Sequence, residues 1–84
     1  MDPMHEVLRT LDGALSLGGR AMTWTRDTPL LGAVPELDSM AVVSLITSME
    51  ERFGITVDDD EIDAATFGSV GSLVDFVAAK LSRS

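Results

Sequence analysis

PELDSMAVVSLITSMEERFG, residues 35–54, holds a helix start, an apolar stripe and a helix stop in one short run. Asp38 and Ser39 are residue types favoured at helix N-caps, because their side-chain oxygens accept the first free backbone N–H groups. Val42, Leu45, Ile46, Met49 and Phe53 then recur at helical spacing. Gly54 readily takes the left-handed conformation that closes a helix. The run therefore predicts a helix from about 39 to 53, capped by Asp38 and Ser39. A serine there also stands at the positive tip of the helix dipole, beside N–H groups with no intrahelical acceptor. That is a seat for a phosphate ester. Capping alone would explain Asp38 and Ser39; a chemical role for the hydroxyl needs support from the rest of the chain.

Upstream, Asp2 and Pro3 suit an N-cap and a first helical position. Met4, Val7, Leu8, Leu11 and Leu15 follow at helical spacing, and SLGG at 16–19 ends the pattern. A first helix is expected over about 3–16. Residues 17–38 show no period and are broken by Gly, Thr and Pro, which reads as a long loop. A loop of that length is uncommon unless it is functional or packed by its own side chains. Leu30, Leu31 and Val34 are expected to pin it to the core, with Trp24 folded onto the helices; an exposed partner contact is the other reading of Trp24.

Downstream, ITV at 55–57 reads as a short extended piece. DDDEIDAATF, residues 58–67, reads as a short helix whose acid-rich first turn suits the dipole. Ser69 should cap a last helix with Val70, Leu73, Val74, Val77 and Leu81 on one face. Nothing alternates with period two. The expectation is an all-α single domain over residues 1–84: a small four-helix bundle with three main helices, one short third helix, and a long loop between helices 1 and 2.

The 84 residues carry a net charge of −8. Residues 1–35 hold four acids and three bases, whereas residues 36–84 hold ten acids and three bases. Such a chain repels nucleic acid and anionic membranes and attracts basic protein surfaces. It has no cysteine, which excludes disulfides and thiolate metal sites, so any reactive thiol must come from a cofactor. No apolar run is long enough to span a bilayer, and MDPMHEV lacks the order of a signal peptide. A cytoplasmic monomer is expected.

Self-contained catalysis finds little support. His5 is the only histidine and matches no Ser–His arrangement. The run Asp58, Asp59, Asp60, Glu61 and Asp63 has Asp63 and Ser69 where a calcium loop needs Gly and Glu. Glu50 and Glu51 sit at the negative end of the second helix, where the dipole disfavours them. A small local cost there points to an outside use, although a solvated face explains them as well.

Taken in order, ELDSMAVVSLITSMEERFGITVDDDEI and the later SVGSLVDFV (69–77) resemble the acyl carrier protein family. The likeness runs from Leu30 to about Leu81, and the upstream helix and long loop suit that family's four-helix fold. It implies that Ser39 is the attachment site of 4′-phosphopantetheine, transferred from coenzyme A by a separate phosphopantetheinyl transferase. The arm's thiol would carry acyl groups as thioesters to acyl-loading and acyl-processing enzymes, and the protein itself would not be an enzyme. It also implies Glu36, Asp38, Met40, Val43, Glu50 and Glu51 as contacts on the second helix and its approach. Met40 stands where Leu is usual, and Ala41 and Ser44 stand where fatty-acid synthesis carriers usually have acids. That departure favours a specialised stand-alone carrier, and the string TPLLGAVPELDSMAVVSLITSMEERFGITVDDDEI (28–62) is similar to carriers that accompany bacterial exopolysaccharide and exosortase-type clusters. An aminoacyl or peptidyl carrier, or an unmodified interaction module on the same fold, remain the alternatives.

Overall fold

The computed structural model describes residues 3–83, and among these the architecture is helical. Helices α1 (Pro3–Leu15), α2 (Ser39–Phe53) and α3 (Val70–Arg83) surround one apolar core. Two 3₁₀ turns, Arg20–Thr23 and Asp59–Glu61, lie in the connections. No described helix is long and apolar enough to cross a membrane. Asp2, expected to cap α1, lies outside the described residues.

α1 buries Val7, Leu8, Leu11 and Leu15, as its spacing predicts. Buried Thr10 satisfies its hydroxyl by donating to the Glu6 carbonyl at 2.8 Å. The helix stops one residue earlier than expected, and Ser16, not a glycine, takes the left-handed conformation beside its end (φ 54°). Asp12 organises the turn that follows. Its carboxylate accepts from the Gly19 N–H at 2.8 Å and the Ala21 N–H at 3.2 Å, while its carbonyl accepts from Leu17. Those bonds satisfy amides that the glycine turn leaves without helical partners.

The connection from 17 to 38 is more structured than its composition suggests. Leu17, Ala21, Leu30, Val34 and Leu37 are buried in the core. Leu31 points the other way, 43% exposed, so Leu30 and Val34 pin the loop without it. Backbone hydrogen bonds stitch the loop to the start of α3. Val70 donates to Thr28 O at 3.0 Å and Gly71 to Arg26 O at 2.9 Å; Leu30 and Leu31 donate to Gly68 and Phe67. Two orphan amides of α3 are thus satisfied by loop carbonyls, while the Ser69 hydroxyl accepts from Ser72 N–H, as an N-cap should. The close approach favours a glycine: a Cβ on Gly71 would lie 3.0 Å from Arg26 O, a tight contact that the loop would have to relieve. Arg26 also pairs with Asp75 through one nitrogen, Nη2, which lies 2.9 Å from each carboxylate oxygen.

α2 starts and ends as its sequence predicts and buries Leu45, Ile46, Met49 and Phe53. Its cap is Asp38 alone, whose carboxylate accepts from Ala41 N–H at 2.8 Å; Ser39 is already the first helical residue. Gly54 closes the helix at φ 66°. Arg52 ties α2 to α1 through Glu6 at 2.9 Å.

The expected short third helix is present only as the 3₁₀ turn Asp59–Glu61, much shorter than the 58–67 stretch it was read from. Asp58–Glu61 closes as a reciprocal box, with Asp58 N–H donating to Glu61 Oε1 at 3.0 Å and Glu61 N–H to Asp58 O at 2.9 Å. Asp63 then accepts from both the Thr66 N–H and its hydroxyl, which turns the chain toward buried Phe67. Aspartates are poor helix formers that prefer such local bonds, and crowded like charges repel along a helix face. The segment therefore stays at one 3₁₀ turn.

Candidate functional site

Asp38 has extended backbone, so it sets the direction in which α2 leaves the loop. With Asp38 holding Ala41 N–H, and Val42 N–H bonded to Asp38 O at 2.9 Å, the helix start is fixed without Ser39. Ser39 is exposed, and its hydroxyl is free of capping duty. The amides of Ser39 and Met40 precede the first intrahelical bond and have no acceptor inside the helix. An exposed primary hydroxyl beside two such donors and the positive dipole end can carry a phosphodiester and steady its charge. The residues therefore fit a phosphate-linked prosthetic group.

Next to Ser39 the surface is apolar. Met40 is 77% and Val43 62% exposed, among the most open large hydrophobic side chains described. Ser44 and Thr47 continue this face, with Ala41 half-buried at its edge. No charged residue occurs from Ser39 to Met49.

Sequence reading grouped seven candidates, and the fold separates them. Asp38, Ser39, Met40 and Val43 share the first turns of α2, and Glu36 lies just before them. Glu50 and Glu51 lie more than ten residues along the same helix, roughly 16 Å away at 1.5 Å per residue. Glu36 pairs with Arg20 across the loop. That hydrogen bond, and then its own backbone N–H, holds the Glu36 carboxyl below its ordinary value. Glu50 is half-buried and accepts from Val57 N–H at 2.9 Å, so it secures the extended piece after α2. Glu51 is exposed and lines a groove between α1 and α2 with Arg9, Ser48 and Arg52.

Arg20 and Asp12 were missed by sequence reasoning. Arg20 lies sixteen residues from Glu36, with no periodic relation to mark the pair. Asp12 could have been suspected, since an acid two turns before a Gly-Gly pair can reach back to its amides. Trp24 is half-buried and packs against the core, as the anchoring reading expected.

Comparison with known proteins agrees with this geometry. The family described as a phosphopantetheine attachment site matches residues 27–77. An acyl carrier protein of Acidothermus cellulolyticus is 35% identical over 43 residues, covering 51% of this chain and 49% of the relative. The chain thus spans about half the length of that curated relative. The solution NMR structure of a holo acyl carrier protein from Nitrosomonas europaea is 52% identical. It superimposes with a TM-score of 0.90 over 98% of this chain and 99% of that one. On a match to more than half its length and a fold shared nearly end to end, the chain belongs to the acyl carrier protein family, whose prosthetic group is 4′-phosphopantetheine.

Proposed function

We propose that this protein is an acyl carrier whose Ser39 bears the 4′-phosphopantetheine group. The observation that carries the reading is the exposed Ser39 hydroxyl at the first residue of α2, relieved of capping by Asp38 and lying inside the matched segment. Loading requires a phosphopantetheinyl transferase. The Ser39 oxygen attacks the pantetheine-bearing phosphorus of coenzyme A, the bond to the adenosine-bearing phosphate breaks, and the serine proton passes to a base of the transferase. The bound group supplies a thiol on a flexible arm, where an acyl chain is held as a thioester. Tethering raises the effective concentration of that chain at each acyl-loading or acyl-processing enzyme.

The chain's own residues position and present. Asp38 keeps the helix start rigid, and the Ser39 and Met40 amides, which have no acceptor inside the helix, would steady the charge of a phosphodiester on Ser39. Met40 and Val43 meet the partner beside the reaction, and exposed Glu51 offers a charge to a basic partner surface. Glu36 and Glu50 contribute mainly by holding the loop and the segment after α2. The uncharged front of α2 supports a specialised carrier, of the exopolysaccharide or polyketide type, with an apolar docking face, over a housekeeping fatty-acid synthesis carrier. The same features suit a single-domain monomer acting in the cytoplasm, with no catalysis of its own.

The test is an intact mass after incubating the apo protein with coenzyme A and a broad-specificity transferase. One phosphopantetheine should be gained, and Ser39→Ala should gain none. A wild-type mass that stays unchanged, or a gain that survives Ser39→Ala, refutes the reading.

A further inference from the structure

Sulfur is unevenly exposed in this protein. The chain has no cysteine, so methionine thioethers are the only sulfurs the polypeptide itself supplies. Among the described methionines, Met49 is 0% exposed, Met4 is half-buried, Met22 is 40% exposed and Met40 77%. Met40 takes no part in the apolar core. Long helical side chains lean toward the helix N-terminus, which brings the Met40 thioether toward the Ser39 end of α2. An open, polarizable thioether is a site at which peroxides transfer oxygen.

We propose that Met40 is a site of reversible oxidation, at which a peroxide turns the docking face beside Ser39 from apolar to polar. The inference rests on Ser39 being the modified residue and Met40 a partner contact next to it. In the forward step a sulfur lone pair attacks one oxygen of hydrogen peroxide. The O–O bond breaks, an S–O bond forms, and the displaced hydroxide takes the proton of the transferred oxygen and leaves as water. Sulfur loses two electrons and the peroxide gains them. In the reverse step two thiols of a sulfoxide reductase supply two electrons, the oxygen leaves as water, and the thiols become a disulfide.

The composition of the face makes this change consequential. No charged residue occurs from Ser39 to Met49, so no long-range attraction offsets a lost apolar contact there. Met40 and Val43 are the large apolar side chains open on that face. A sulfoxide turns the first of them into a polar acceptor that costs free energy to desolvate against an apolar partner. The fold is insulated from the event, because Met40 lies outside the core and Met49, whose oxidation would disrupt packing, is sealed within it. Leucine, usual at this place in the family, has no sulfur to oxidise. When the arm is acylated its own thiol is held as a thioester, which leaves Met40 as the open sulfur beside it.

The test uses the full apo chain, which lacks the arm's thiol. It is titrated with hydrogen peroxide, the peroxide is removed, and the oxidised sites are mapped by peptide mass. The kcat/KM for loading by a phosphopantetheinyl transferase with coenzyme A is measured before and after. Met40 should oxidise about tenfold faster than buried Met49. Loading should fall about tenfold, the loss expected when one apolar side chain no longer gains from burial, and sulfoxide reductases with dithiothreitol should restore it. The unfolding midpoint should stay unchanged. Met22→Leu should remain as sensitive to peroxide as wild type, whereas Met40→Leu should load equally well with and without treatment. A loss smaller than about twofold marks Met40 as a near-neutral contact and overturns the switch while leaving Ser39 modification intact. An equal loss in Met40→Leu, or a loss that tracks a lowered unfolding midpoint, does the same. An untreated protein that never takes up the group overturns the Ser39 reading and the switch together.

Discussion

The two ends of α2 put opposite kinds of side chain to opposite uses. At the front, Met40 and Val43 are apolar and open to solvent, and neither belongs to the core. At the rear and in the segment after it, carboxylates are engaged within the chain: Glu50 by Val57 N–H, Glu61 by Asp58 N–H, and Asp63 by Thr66. Judged by composition, the acids are the recognition surface and the hydrophobic residues are the core. The structure divides them differently. Several acids substitute for missing backbone partners in a segment too short for regular structure, which leaves apolar side chains exposed where Ser39 is presented.

The contrast is broken most forcefully by comparing neighbours on α2. Leu45→Ala removes a fully buried side chain and should cost about 2–5 kcal/mol. Val43→Ala, two residues away, should change stability by less than about 0.5 kcal/mol. Urea midpoints measure both, and equal losses would show that the front of α2 is part of the core after all. Next in size is Gly71→Ala. Its Cβ would press on Arg26 O at 3.0 Å and Arg26 Cβ at 3.3 Å, so the loop must move, at a cost of about 1–3 kcal/mol. Thermal unfolding reads the loss, and an unchanged midpoint would mean that the loop–α3 stitching is loose.

A smaller effect separates cap from attachment point. Asp38→Ala should cost about 1 kcal/mol through the lost bond to Ala41 N–H. Ser39→Ala should leave stability nearly unchanged while abolishing modification. Equal destabilisation by the two would show Ser39 sharing the cap.

The smallest effect is in the acidic segment. The Thr66 N–H, and then the Thr66 hydroxyl, lower the Asp63 carboxyl below its ordinary value of 3.8. A depressed folded-state value stabilises the protein above the unfolded value, and this contribution is lost as pH falls through the folded one. Asp63→Asn should therefore be slightly less stable than wild type at pH 7, and the difference should shrink below pH 3.8. Parallel stability profiles from pH 7 to pH 2.5 would show that Asp63 makes no charge-dependent contribution.

All three main helices were legible because each carries its own evidence: an apolar stripe at helical spacing, with a cap before it or a glycine after it. The candidate site was legible for the same reason, since Asp38, Ser39, Met40 and Val43 are consecutive or one turn apart. The helix in the acid-rich stretch is shorter than its composition suggests, because the tendency of aspartate to bond locally outweighs the favourable dipole term after one 3₁₀ turn. Leu31 was misread because a loop has no period to say which of two adjacent leucines turns inward. The Arg20–Glu36 and Arg26–Asp75 pairs span 16 and 49 residues, and no local pattern announces them.

The sequence by itself determined the helical class, the limits of α2, the serine at its start and the uncharged run behind that serine. These depend on interactions between residues a few places apart, which spacing records directly. Only the tertiary structure decided that Asp38 alone caps the helix, that Glu50 faces inward while Glu51 faces out, and that the long loop is tied to α3 beside a glycine. Those outcomes depend on which distant amides and carbonyls reach each other once the core has closed, and composition does not encode such distances.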